Sequence, residues 1–192
     1  MQSTIRAFLL LIALVLAGCG SRGQLATSSA LQSAMIKGFT QVVVLDFHAN
    51  DRRPTLSTQD QAERDKNVNE GRVQFADRIA ERIAETKAFS LVSRTPVTGK
   101  FLLVTGTVDV WEPGNVVHRA VTGFVGQSQF ASTIRLLDGQ TGEELAKMTG
   151  HRNSWPLPIG ASTTILQTVD YFMDEAASNM ATQLAAAKNL AP

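Results

Sequence analysis

The chain has 192 residues, 18 Lys and Arg against 17 Asp and Glu, 44% hydrophobic residues and a single cysteine. That length suits one domain with a proper core, and the near-balance of charge, with no run of cations interleaved with aromatic residues, speaks against nucleic acid, whose binding needs several phosphate-neutralising cations. One cysteine leaves no intrachain disulfide, so packing must carry stability.

Arg6 is the only charged residue ahead of an unbroken apolar run from Ala7 to Ala17, with Gly18 and Cys19 next. The run is shorter than the roughly 20 residues a membrane-crossing helix needs, and its layout is that of a secretory signal, so residues 1–18 are expected to be removed. This leaves 17 charges of each sign. Leu16-Ala17-Gly18-Cys19 resembles the lipobox of bacterial lipoproteins. The resemblance implies that Cys19 is lipidated and becomes the first residue. It also implies that Gly20, standing where inner-membrane lipoproteins carry aspartate, directs the protein to the outer membrane. Two or more acyl chains, at ~0.8 kcal/mol per buried methylene, hold a protein on a membrane stably where one chain does not. The plain alternative is a secreted protein with an incidental thiol.

Residues 19–40 are mostly small and polar and read as a lipidated tether, with room for a helical turn or two around Leu31 to Ile36. A single domain is expected over residues 41–188. Its first element, "VVVLDF" from Val42 to Phe47, is a continuous β-branched apolar run, the pattern of a central strand buried on both faces. His48 to Asn69 is highly charged and reads as a long loop, with helix from about Thr58 as an option. Beyond Gly71 the spacing of Arg72, Phe75, Ala76, Ile79, Ala80 and Ile83 predicts an amphipathic helix, with Arg78, Glu81, Arg82 and Glu85 opposite.

"FSLVSR", residues 89–94, predicts a strand parallel to the first, closing a strand-helix-strand crossover. Leu102, Val104, Val108 and Val110 alternate with Thr105, Thr107 and Asp109 in a half-buried strand, where Gly106 is expected to mark a bulge. Strands over Gln127 to Asp138 and Glu143 to His151 follow, joined by the tight turn "DGQTG". A last amphipathic helix carries Ile165, Val169, Phe172, Met173, Ala176, Met180 and Leu184 on one stripe, with residues 162–164 as its cap. The expected fold is therefore α/β, or α+β with a mixed sheet: one crossover, an antiparallel three-strand meander and a C-terminal helix.

No catalytic constellation emerges. "TPVTGK", residues 95–100, fails as a phosphate loop: its first glycine is missing, Phe101 stands where a hydroxyl is required, and a strand follows instead of a helix. Gly123 and Gly126 read as backbone bends, so no nucleotide and no cofactor is expected. Asp46, His48 and Asp51 are close in sequence, but polar residues at a strand end explain them without a metal. His118 and His151 lack partners at metal-ligand spacing, and Ser128 and Ser132 lack the turn that exposes a nucleophile.

The order of elements, with "VVVLDF", "RAVTGFVGQSQFASTIRLLDGQTGEELAKMTG" and the terminal helix, resembles a family of bacterial lipoproteins whose domain has no assigned function, over roughly residues 38–187. The motifs that carry it are Gly123 and Gly126 leading into a strand, and Asp138, Thr141 and Gly142 in the hairpin. By architecture the family is similar to the periplasmic part of the curli secretion channel lipoprotein and to lipoprotein activators of cell-wall synthases. The resemblance implies an outer-membrane-anchored periplasmic protein that binds envelope proteins or itself, without catalysis. The alternatives are an enzyme acting on cell-wall material and a component of an oligomeric secretion channel. Residues 108–127 hold no pair of strands of ~9 to 11 residues that could add a membrane-crossing hairpin, which argues against the channel. The expected partner surface is a pair of apolar loops, residues 112–126 and 152–160, contributing Phe124, Val125, Trp155, Leu157 and Ile159.

Overall fold

The structure, a computed structural model, describes residues 25–26, 36–51, 53, 57–114, 128–154 and 168–189. In chain order these form β1 (Leu25–Ala26), β2 (Gln41–Val44), β3 (His48–Ala49), α1 (Thr58–Glu85), β4 (Leu91–Ser93), β5 (Leu102–Glu112), β6 (Gln129–Asp138), β7 (Glu144–Asn153) and α2 (Val169–Asn189). One mixed sheet runs in the order β1-β7-β6-β5-β2-β4, with β3 continuing β2's side of β5. β2 lies parallel to both β4 and β5, while β5, β6 and β7 form the antiparallel meander. This is the mixed α/β fold expected from the sequence.

Cross-strand partners share a face, so the register shows which side chains meet the helices. Val42 and Val44 line up with Leu102 and Val104, and Val104, Gly106 and Val108 with Leu136, Ile134 and Ser132. The valines, leucines and isoleucine among them and Phe130 pack with Phe75, Ile79 and Ile83 of α1 and Phe172, Met173, Met180 and Leu184 of α2 in one core. Phe75 stands edge-on to both Phe47 and Phe130, with centroids 5.0 and 4.8 Å away. Thr105, Thr107, Thr133, Arg135, Lys147, Thr149 and His151 lie on the opposite face, where no helix packs among the described residues.

Several elements differ from expectation. In the charged stretch the helical option from Thr58 holds in place of the long loop: Ser57 caps α1, its hydroxyl accepting from the Asp60 amide at 3.1 Å, and the helix runs 28 residues without a break. Its buried residues begin only at Val68. The first turns bury none of their side chains and are polar on every side, so hydrophobic periodicity could not reveal them. The bulge is at Asp109 and not at Gly106, because the β5–β6 register shifts between Val108 and Val110. Gly106 serves close approach instead: at φ 156° it lies so near β6 that a Cβ would sit 1.9 Å from the Thr133 carbonyl oxygen. A second irregularity falls at Leu136/Leu137, opposite Leu145 in β7. The expected cap residues 162–164 and Ile165 lie outside the described residues. α2 starts at Val169, with the Thr168 hydroxyl accepting from the Tyr171 amide at 3.2 Å.

The domain's contacts begin within the segment read as a tether. Leu25–Ala26 pair antiparallel with Met148 and Lys147 of β7, and Ile36 and Phe39 are fully buried. Lys188, near the end of α2, donates to the Phe39 carbonyl and lies 4.5 Å above the Phe89 ring, where burial lowers its ammonium pKa.

Candidate functional site

In an open sheet with parallel strands, ligands bind beyond the carboxyl ends of strands whose connections depart in opposite directions. Here that place is between β2, which leads through α1 to β4, and β5, which leads to β6. The chain fills it with its own backbone. After Phe47 it continues as β3 beside Thr107 and Val108 of β5, and the Asn50 amide then donates to the Val108 carbonyl at 2.9 Å.

The polar side chains there are paired with one another. Asp109, pushed out by the bulge, accepts from Asn50 at 2.7 Å, Thr107 at 2.8 Å and Thr133 at 3.1 Å. Asp51, with only 4% of its side chain exposed, takes a fork of hydrogen bonds from Arg53, which also faces Glu112 at 3.7 Å. Burial pushes the Asp51 carboxyl up, but the hydrogen bonds and charge of Arg53, with Arg64 behind, outweigh it and hold the carboxyl below its usual range. Arg53 is raised in turn, chiefly by its hydrogen bonds to Asp51.

The residues considered for a metal are not gathered. Asp46 pairs with Arg94 at 2.5 Å and lies 3.9 Å from Arg72, His48 is exposed on β3, and Asp51 belongs to Arg53. Among the described residues no three His, Cys, Asp or Glu side chains come together to hold a metal. Arg94 closes this end of the parallel strands, donating also to Asp77 at 2.7 Å and to the Val44 carbonyl.

A second feature lies at the same end of the sheet. Ser128 and Ser154 clasp β6 to β7: the Ser128 amide donates to the Ser154 hydroxyl at 3.0 Å, the Ser154 amide to the Ser128 carbonyl at 2.9 Å, and the Ser128 hydroxyl to the Pro113 carbonyl at 2.5 Å. Ser128 is thereby a structural joint. Beside the clasp, inward-facing Arg152 approaches Glu175 of α2 at 3.6 Å and borders a cleft of about 10 Å³ with Ser132, Gly150 and Asn179, room for one water. The alternation Ala146, Met148, Gly150 already places Arg152 on the inner face, a signal that reading the charge as exposed would hide.

Cys19 and the five expected partner-binding residues, Phe124, Val125, Trp155, Leu157 and Ile159, lie outside the described residues. The flanks of both loops are described, and the clasp joins them.

The family model described as Domain of unknown function (DUF4410) matches residues 42–157, more than half of the chain. The chain belongs to that family. The match takes in the DUF4410 sheet from β2 to β7 and α1 and stops short of α2. No curated protein matches the chain. Among solved structures, this DUF4410 chain is similar to the PelC dodecamer from Paraburkholderia phytofirmans, at 13% identity and a TM-score of 0.47 over 83% of this chain and 98% of that one. A protein from Xanthomonas campestris is similar at 11% identity and 0.47, over 79% and 86%. A candidate lipoprotein from Caulobacter crescentus is similar at 15% and 0.34, over 82% and 95%. At this level of similarity no residue's role is carried across, and the comparison with the curli channel and the synthase activators gains no support.

Proposed function

We propose that this DUF4410 chain is an accessory protein of the bacterial envelope, held at the periplasmic face of the outer membrane through acyl chains on Cys19, that works by binding other envelope proteins and not by catalysis. One observation carries the reading: among the described residues the crevice beyond the carboxyl ends of β2 and β5 is filled by β3 and closed by paired charges, so that end of the sheet offers faces and edges for contact in place of a ligand crevice. The open face of the meander, with Thr107, Thr133, Thr149 and His151, and the outer edge of β7, paired only at Lys147 and Met148 among the described residues, are the surfaces of that kind. An unpaired sheet edge readily accepts a further strand.

The anchor is tested by growing cells with radioactive palmitate: the parent should be labelled and Cys19→Ser should not. Binding is tested by placing a photo-crosslinking amino acid at Thr149 or at His151 in intact envelopes. A discrete adduct identified by mass spectrometry supports the reading. Adducts from neither position, with strong ones from the outer face of α1, would place binding elsewhere.

A further inference from the structure

Among the described residues arginine supplies the cation of each ion pair, and no lysine enters one. Four of the chain's six lysines instead gather at one end of the molecule. Lys100 lies 4.7 Å from the centre of the Phe39 ring, Lys188 donates to the Phe39 carbonyl and lies above the Phe89 ring, and Lys37 and Lys87 stand two residues before these phenylalanines. The Ser90 amide and hydroxyl both donate to the Thr40 carbonyl, at 2.8 and 2.9 Å, and so hold the two segments together. The acids of the adjoining helix end and hairpin are mostly engaged: Glu85 with Arg82 at 2.8 Å, Glu144 with Arg135, and Asp138 with the Gln140 and Thr141 amides of its own turn. Only Glu143 of that group has no partner for its carboxylate among the described residues.

The opposite end carries the complementary charge. Along the first turns of α1, Glu63, Asp65 and Glu70 are exposed and join no ion pair among the described residues. Lys66 is the exposed cation between them, and Arg64 turns to the Arg53 carbonyl at 2.8 Å. The 22 residues from Glu63 to Glu85 set this start roughly 33 Å from the lysine end. A helix dipole accounts for Asp60 in the first turn of α1 and Lys188 in the last turn of α2, but its influence fades within one turn. Glu63, Asp65 and Glu70 lie further in, and Lys100 lies on neither helix. The near-balance of 18 cations and 17 acids thus conceals a separation of charge along the molecule. We infer that the lysine end is a docking surface for a second copy of this chain, and that it receives the acidic start of α1. Charge complementarity selects that occupant, since every copy carries both ends. Complementary charge steers and orients association more than it strengthens it, so the contact is reversible and sensitive to salt. It goes beyond the binding of other envelope proteins and needs neither the Cys19 anchor nor the open sheet face.

Sedimentation velocity of the protein extracted in a nonionic detergent, over a range of concentrations, tests the contact. The parent should self-associate at low ionic strength and come apart when sodium chloride is raised to about 1 M, where the screening length is about 3 Å. Lys87→Glu with Lys100→Glu, and separately Glu63→Lys with Asp65→Lys, place like charges against each other and should each weaken self-association by about tenfold or more. All four side chains are exposed and outside any ion pair among the described residues, so the fold does not depend on their charge. Mixing the two double variants should restore association, because the acidic start of one then meets the lysine end of the other. That recovery also shows both variants to be folded. A parent that stays monomeric at every concentration in low salt would overturn the inference. Association that both double variants leave unchanged, or a mixture no more associated than its components, would overturn it equally.

Discussion

Two glycines on the inner face of the sheet answer the same substitution in opposite ways. A Cβ at Gly106 would meet the Thr133 carbonyl oxygen at 1.9 Å and the Phe47 ring at 2.9 Å, while at Gly150 nothing lies within 4 Å. Backbone oxygen cannot move aside as a flexible side chain can. Gly106→Ala should therefore cost about 1–3 kcal/mol, as overpacking does. Gly150→Ala should gain about 0.5–1 kcal/mol by removing glycine's entropy cost in a strand. Urea midpoints at constant slope measure both, and a stabilised Gly106→Ala would show that β5 is not held against β6 as described. Asp51 supplies a pH signature. Its pKa is lowered from the ordinary 3.8, so the stability it contributes is fully present above about pH 4 and is lost as pH falls through the folded value. Asp51→Asn should melt below the parent at neutral pH, with the gap closing under acid. A gap that stays constant with pH would mean that the Arg53 pair contributes shape and not charge.

The elements were legible where their periodicity was unbroken and hidden where something shifted it. Alternation from Leu102 to Val108 gives the inner face of β5 directly. Simple continuation would send Trp111 to the open face with Thr105 and Thr107. The bulge at Asp109 returns it to the helix side opposite Phe130, where it covers Gly71 of α1. No local residue type announces that shift, and Gly106, the residue that does look like a bulge marker, is explained by Thr133, distant in sequence. Gly71→Ala should accordingly destabilise by about 1–3 kcal/mol, with Trp111→Leu in the same chain recovering part of the loss. A double-mutant cycle reads this coupling, and strict additivity would mean that the helix and the strand end do not touch. Charges expected to face water on α1 instead join the helices: Arg78 reaches Asp170 and Arg82 reaches Asp174, each at 2.7 Å. Such exposed pairs are screened by salt. The destabilisation in Arg82→Ala should shrink as sodium chloride is raised.

For the molecule as a whole, the expectation of an anchor at Cys19 rests on a short local pattern, which asks for no tertiary context. The filled crevice could not be read that way. It depends on β3 reaching Thr107 and on Asn50 and Thr133 converging on Asp109, contacts between segments that only the folded sheet brings together. The bridges between the helices carry a further consequence. Arg78–Asp170 and Arg82–Asp174 advance by one turn on each helix in the same sense, so α1 and α2 run in the same direction and their macrodipoles reinforce each other. Side by side, aligned dipoles repel, each helix carrying roughly half a positive charge at its start and half a negative charge at its end. The chain places Asp60 and Asp170 in the first turns and Arg82 and Lys188 in the last. An acid near each start and a base near each end oppose the dipole of each helix and ease the side-by-side alignment of two helices pointing the same way.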